Sequence, residues 1–255
     1  MLHGARQRYL AGFLAVSAVF AAVSAVLFFG AGILPDARTA AVAGSGTAAG
    51  SGTTAPVIVL DPGHGGEDGG ASGADGTLEK DLNLAVAEAL SHLLTAAGFD
   101  VRMTRTDDRL LYDLYGDLSD YTGHKKTYDL RNRLRFAQEA SASLFVSIHM
   151  NKFPQAKYSG LQVYYAAADG SRTVADAVQS YTKLYLQPDN SRQTKKAGSS
   201  IYLLHRIDIP AVMIECGFLS NEAELAQLKD ADYRRKLALT AACAIAESMT
   251  GVTAG

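Results

Sequence analysis

Three short runs, Val57-Ile58-Val59-Leu60, Leu144 to Ile148 and Ala211 to Ile214, are apolar at almost every position and rich in β-branched residues. A strand with one wet face would alternate polar and apolar residues. These do not, so each predicts a strand buried on both faces, as in a parallel sheet covered by helices. The stretches between them supply the helices. Glu79 to Ala97 places Leu82, Val86, Leu90, Leu93, Leu94 and Ala97 at helical spacing, with Gly98 positioned to end the helix. Tyr128 to Ala140 has Leu130, Leu134 and Ala137 on one face and Arg131, Arg133 and Arg135 off it. Thr173–Leu186, Glu222–Leu228 and Tyr233–Met249 read as further helices, and Phe99–Thr104, Gly160–Tyr165 and Ile201–Leu204 as further strands. The expectation is an α/β single domain with a mostly parallel twisted sheet of about six strands, flanked by helices on both faces. Asp107 to Lys126, rich in Tyr, Asp and Gly, breaks the pattern. Connections of that length are uncommon and often functional, although a surface excursion packed by its own Tyr and Leu side chains is an equal reading.

Ahead of this domain, Tyr9 to Leu34 carries no charged side chain. As a helix it would span roughly 39 Å, against a bilayer core of about 30 Å. Arg6 and Arg8 precede it and Pro35-Asp36 follow. The basic flank predicts a cytoplasmic tail over residues 1–8, a transmembrane or signal-anchor helix over 9–34, and an exported remainder. A cleaved signal peptide, cut near Ala41-Val42-Ala43, is the rival reading. Residues 35–55 are dominated by Ala, Gly, Ser and Thr and predict a flexible linker, so the exported domain runs from 56 to 255.

Composition narrows the partners. The 255 residues are 48% hydrophobic and 20% charged, which excludes a disordered chain. Net charge is -2, and no block of like charges occurs, so the footprint of a nucleic-acid binder is missing. Setting aside Arg6, Arg8, Arg38 and Asp36 leaves the exported part mildly acidic. Two cysteines build no disulfide framework. Cys216 is expected in the core because it follows Glu215 on the same strand; two buried free thiols or a pair with Cys243 are both compatible with export.

The chemistry collects where strands end, which is where open α/β sheets bind ligands. The first run continues into Asp61-Pro62-Gly63-His64-Gly65-Gly66; the Leu144 run ends in His149, then Asn151; the Ala211 run ends in Glu215. Glu79 opens the first long helix, where the helix dipole favours a carboxylate. Two His and one Glu form a common catalytic zinc set with one open position, and Glu215 is left over to carry a proton. Asn83 lies one helical turn after Glu79 and suits orientation of a ligand or of the substrate, or is simply solvated. Arg131 is a candidate for an acidic group on the substrate or for a surface ion pair. His3, His92, His124 and His205 lack such settings.

At these residues the chain resembles the zinc-dependent N-acetylmuramoyl-L-alanine amidases of the amidase-3 family. The segments that carry the resemblance are Val57 to Gly66, Glu79-Lys80-Asp81-Leu82-Asn83-Leu84, Ser147-Ile148-His149-Met150-Asn151 and Pro210 to Asn221. It implies one Zn2+ ion held by His64, Glu79 and His149, with Glu215 as the catalytic carboxylate; Asn83, Arg131 and Asn151 are the candidates on the substrate side. It also implies hydrolysis of the amide between the muramic lactyl group and L-alanine, with peptidoglycan glycan strands and stem peptides as partners and an activating protein possible. Lys125–Arg135, Asn151-Lys152-Phe153-Pro154 and Arg192–Leu204 look most like the germination-specific, sporulation-linked members. A two-metal zinc exopeptidase on a similar sheet and a non-catalytic wall-binding protein are the competing classes.

Overall fold

The computed structural model describes residues 55–116 and 123–252. The membrane and linker expectations, 1–8, 9–34 and nearly all of 35–55, lie outside them. Among the described residues no helix is long and apolar enough to cross a membrane.

The elements run β1 (Val57–Pro62), α1 (Glu79–Ala96), β2 (Asp100–Met103), α2 (Lys125–Glu139), β3 (Leu144–Asn151), β4 (Gln162–Tyr165), α3 (Ser171–Tyr185), β5 (Lys195–Lys196), α4 (Tyr202–Arg206), β6 (Ala211–Phe218), α5 (Glu222–Lys229) and α6 (Ala231–Val252). The six strands form one sheet in the order β2-β1-β3-β6-β4-β5. All pairs are parallel except β4 with β6. The expected α/β domain with a mostly parallel, helix-covered sheet is therefore present.

Continuous apolar strands serve two cores. On one face Ile58, Leu60, Val146, Ile148, Val212 and Ile214 pack against Val86 and Leu90 of α1, Val174 and Val178 of α3, and Ala241 and Ile245 of α6. On the other, Val59, Phe145 and Met213 meet Ala137 of α2 and Leu203 and Leu204 of α4. Gly98, at φ 94°, closes α1. Phe99 N then donates to Leu94 O (3.2 Å) and Gly98 N to Thr95 O (3.0 Å), satisfying carbonyls the helix leaves open.

One expectation is corrected. Ile201–Leu204 is not a strand; residues 202–206 form the helical turn α4, closed by His205 N on Ile201 O at 3.0 Å. A four-residue apolar run has no resolvable period, so burial of Leu203 and Leu204 reads the same either way. The sixth strand is instead Lys195–Lys196, exposed at the sheet edge. Lysines suit an edge because they discourage pairing with another chain. Arg133, although off the apolar stripe of α2, is 1% exposed, the largest of the fully buried side chains.

Candidate metal centre and active site

β1 delivers its chain to the site through a tight loop. His64 sits at φ 63°, a left-handed conformation unusual for a residue with a side chain. What holds it there is a polar lattice beneath the loop. Arg133 Nη1 donates to Pro62 O (2.9 Å) and to Asp61 Oδ1 (2.7 Å), and its Nη2 to His64 O (2.7 Å). Arg105 Nε donates to Pro62 O (2.9 Å) and its Nη2 to Gly63 O (3.0 Å). Two buried guanidinium groups thus collect the carbonyls of three consecutive residues. Asp61, fully buried, also accepts from Thr104 Oγ1 (2.8 Å) and Ser147 Oγ (2.7 Å). Burial alone would raise the Asp61 carboxyl, but Arg133 and these donors hold it below its ordinary value.

Glu79, the first residue of α1, points between the two histidines. Its Oε1 lies 3.3 Å from His64 Nε2 and 2.9 Å from His149 Nδ1. Burial opposes ionisation of Glu79, yet the adjacent His149 and His64 keep its carboxyl well below the usual range. Met150 N donates to Oε1 at 3.1 Å and Ala71 N to Oε2 at 2.7 Å, so the carboxylate is aimed rather than free. Asn83 is fully buried, not solvated; its Nδ2 donates to Gly63 O (3.1 Å) and approaches Glu79 Oε1 (3.4 Å). Gly63 and Gly70 let the ligands close in. A Cβ on Gly63 would lie 2.2 Å from the His149 ring, and one on Gly70 2.6 Å from Glu79 Oε2.

The ligand atoms of His64, Glu79 and His149 lie within 4.8 Å of one another. A tetrahedral zinc with bonds of about 2.1 Å spaces its ligand atoms by roughly 3.4 Å. The donor set, its spacing and the glycine clearance therefore fit a zinc-type ion. Asp68, which the motif reading passed over, lies behind His64, with Oδ2 3.0 Å from Nδ1. The two atoms are in ion-pair contact without hydrogen-bond geometry; a carboxylate so placed favours the tautomer that leaves Nε2 for a metal. Burial would lower the His64 pKa, but Asp68 and Glu79 raise it to about 9, so metal and protons compete for this ring. The spacing of four residues from His64 was the available signal for Asp68.

Glu215 stands beside His149 in direct β3–β6 register. Its Oε2 is sealed from solvent and has no hydrogen-bond partner. Burial pushes the carboxyl up to about 7, with His149 acting against the rise. Cys216, on the opposite face, is buried in the core as expected, and its thiol is free; Cys243 is also free, but only half-buried. Asn151 lies past a register shift at the end of β3, where its carbonyl accepts from Leu219 N (2.8 Å). Arg131 is exposed on α2 with its guanidinium 5.4 Å from the Tyr128 ring centroid, outside this group.

The described ends of the 107–126 stretch are clasped to the site. Asp108 Oδ1 accepts from Gly66 N (2.7 Å) and its Oδ2 from Lys80 Nζ (2.6 Å). Lys125 pairs with Glu67 (3.0 Å) and Lys126 with Asp68 (3.5 Å). Its root is anchored by Asn132 Nδ2 on Leu111 O at 2.6 Å.

A family model for N-acetylmuramoyl-L-alanine amidases matches residues 58–247, nearly the whole described domain. The chain belongs to the N-acetylmuramoyl-L-alanine amidase family. It is 38% identical over 183 residues to the germination-specific N-acetylmuramoyl-L-alanine amidase of Bacillus subtilis, covering 71% of this chain and 75% of that protein. The solved CwlD amidase of Clostridioides difficile, in complex with the GerS lipoprotein, superposes with a TM-score of 0.71 at 38% identity, covering 77% of this chain and 99% of that one. An N-acetylmuramoyl-L-alanine amidase from Clostridium difficile 630 gives 0.64 at 29% identity, covering 80% and 99%. All the segments that carried the sequence resemblance fall within or against the matched range.

Proposed function

We propose that this amidase hydrolyses the peptidoglycan amide between the muramic lactyl group and L-alanine using one zinc ion, and that it acts in the spore cortex. The observation that carries the reading is the convergence of His64 Nε2, Glu79 Oε1 and His149 Nδ1 beside the unbonded Glu215 Oε2. These three residues would hold the ion. When bound, it polarises the scissile carbonyl and acidifies an attacking water. Glu215 Oε2 takes the water proton as the new carbon–oxygen bond forms, then gives a proton to the departing nitrogen as the carbon–nitrogen bond breaks. A carboxylate held near neutrality by burial can do both. Asn83, bonded to Gly63 O and close to Glu79 Oε1, orients Glu79, and Asp68 backs His64 as an ion-pair partner.

The cortex assignment is supported by the identity to the germination-specific enzyme. The GerS complex of the C. difficile relative makes an accessory lipoprotein the expected partner class. The uncharged Tyr9–Leu34 run supports anchoring in the cytoplasmic membrane with the domain outside, where the wall lies. Among the described residues one group of metal-type donors is found, which favours a single ion over a two-metal exopeptidase. Digestion of purified peptidoglycan, with and without a chelator, tests the proposal. It requires zinc-dependent release of stem peptides with free N-terminal L-alanine; release of single amino acids instead would overturn it.

A further inference from the structure

Beyond Glu215 the sheet continues with residues the reaction above does not use. His149 on β3, Glu215 on β6 and Gln162 on β4 are direct register partners, so their side chains stand in one row on one face. The row is extended by Arg192, in the segment that leads to β5. Its Nη1 donates to Gln162 Oε1 (3.1 Å) and its Nε to Ser159 O (2.6 Å). Its Cζ lies 4.4 Å from the Phe218 ring centroid, and its backbone N donates to Asn190 Oδ1 at 2.9 Å. Gln162 is pinned in turn by donating to Gln193 O at 2.8 Å. Nη2 has no hydrogen bond among the described residues. A guanidinium stacked and tied on three sides, with one donor edge left over, has lost its rotamer freedom before any ligand arrives. Tyr158, 6.3 Å from Phe218 between ring centroids, and Phe153, 4.8 Å from Tyr158, continue an aromatic wall, and Phe153 is 44% exposed.

We infer that Arg192, braced by Gln162 and Phe218, is a specificity-determining residue that reads a carboxylate on the stem peptide. The inference rests on the amidase reading. The scissile amide separates an uncharged sugar from a peptide that bears carboxylates, so a fixed cation along the cleft marks the peptide side. Strands are about 4.8 Å apart, which puts Arg192 roughly 10 Å from Glu215. An extended peptide covers that in about three residues. The recognised group is therefore an acidic residue among the first three of the stem.

Two substrates test this with the zinc-loaded full chain: muramoyl peptides identical except that the acidic residue following L-alanine is free or amidated. The wild type is expected to prefer the free acid by about 10–100-fold in kcat/KM, as a charge-assisted contact implies, mainly through KM. In Arg192→Ala that ratio falls to about one, and Arg192→Lys, which keeps charge but loses the double tether, lies between. Zinc content and melting temperature separate this from a structural strut, which would lower both substrates alike. Calorimetric binding of the two product peptides gives a readout that needs no turnover. If the wild type cleaves both substrates equally, or if Arg192→Ala keeps the preference, the subsite is wrong and the amidase stands. If neither substrate is cleaved while the acidic peptide still binds in an Arg192-dependent way, the amidase reading fails and the subsite stands.

Discussion

Two buried charged regions lie on the same face of the sheet and are built on opposite rules. Under the His64 loop, Asp61, Arg133, Asp129 and Arg105 have their charges almost completely bonded: Arg133 Nε meets Asp129 Oδ2 at 2.8 Å, and its other nitrogens meet Asp61, Pro62 O and His64 O. Two strands over, on β6, the Glu215 Oε2 atom is sealed from solvent and unbonded. A saturated network has one geometry and holds a strained loop in place. An unsatisfied group in low dielectric stores the drive to exchange a proton or accept a partner. The fold thus places its rigidity beneath the ligands and its reactivity beside them.

Breaking the reactive side gives the largest effect. Glu215→Gln keeps shape and removes the proton carrier; turnover is expected to drop by about 10²–10⁴-fold with zinc stoichiometry intact. Near-normal turnover measured on a muramoyl peptide would take Glu215 out of the reaction. His149→Ala removes a donor and is expected to abolish both tight zinc and activity; mass spectrometry of the native protein showing one retained zinc would reject it as a ligand.

On the rigid side, Arg133→Met leaves Asp61 buried without its cation. Breaking such a pair costs about 3–5 kcal/mol, to be read from chemical denaturation. An unchanged midpoint would mean that the network is ornamental and the contrast with Glu215 false. Asp68→Asn sits between the regions. It should weaken zinc binding by about 10–100-fold while leaving the denaturation midpoint of the metal-free protein nearly unmoved. A shift in stability with unaltered zinc affinity would assign Asp68 to the scaffold instead.

The smallest effect is on acid stability. Asp61 is held below its ordinary value of 3.8, so its contribution is fully present above about 4 and disappears as pH falls through the depressed folded value. Denaturation of wild type should therefore stay flat in Asp61's contribution near neutrality and steepen only in strong acid. Arg133→Met should lack that late step. Identical acid limbs for the two proteins would uncouple Asp61 from Arg133.

Local sequence determined much of this protein. β-branched runs too short for helices demanded strands buried on both faces, and the residues at their ends, His64, His149 and Glu215, together with Glu79 at a helix start, were legible as a metal and proton-transfer set because those side-chain types are rarely left together at ligand-binding edges. Tertiary structure alone decided the rest. Residues 201–204 coil into a turn because burial of two leucines satisfies helix and strand equally, and only packing against α2 and β6 chooses. Arg133 lies off the apolar stripe of α2, yet Asp61, 72 positions away, draws it inside. Arg192 acquired a site only through β4 pairing antiparallel beside β6. Periodicity reports which face of an element is apolar. It carries no information on which distant charge will stand opposite a polar residue, and that meeting is where both the support beneath the metal ligands and the reach toward substrate were set.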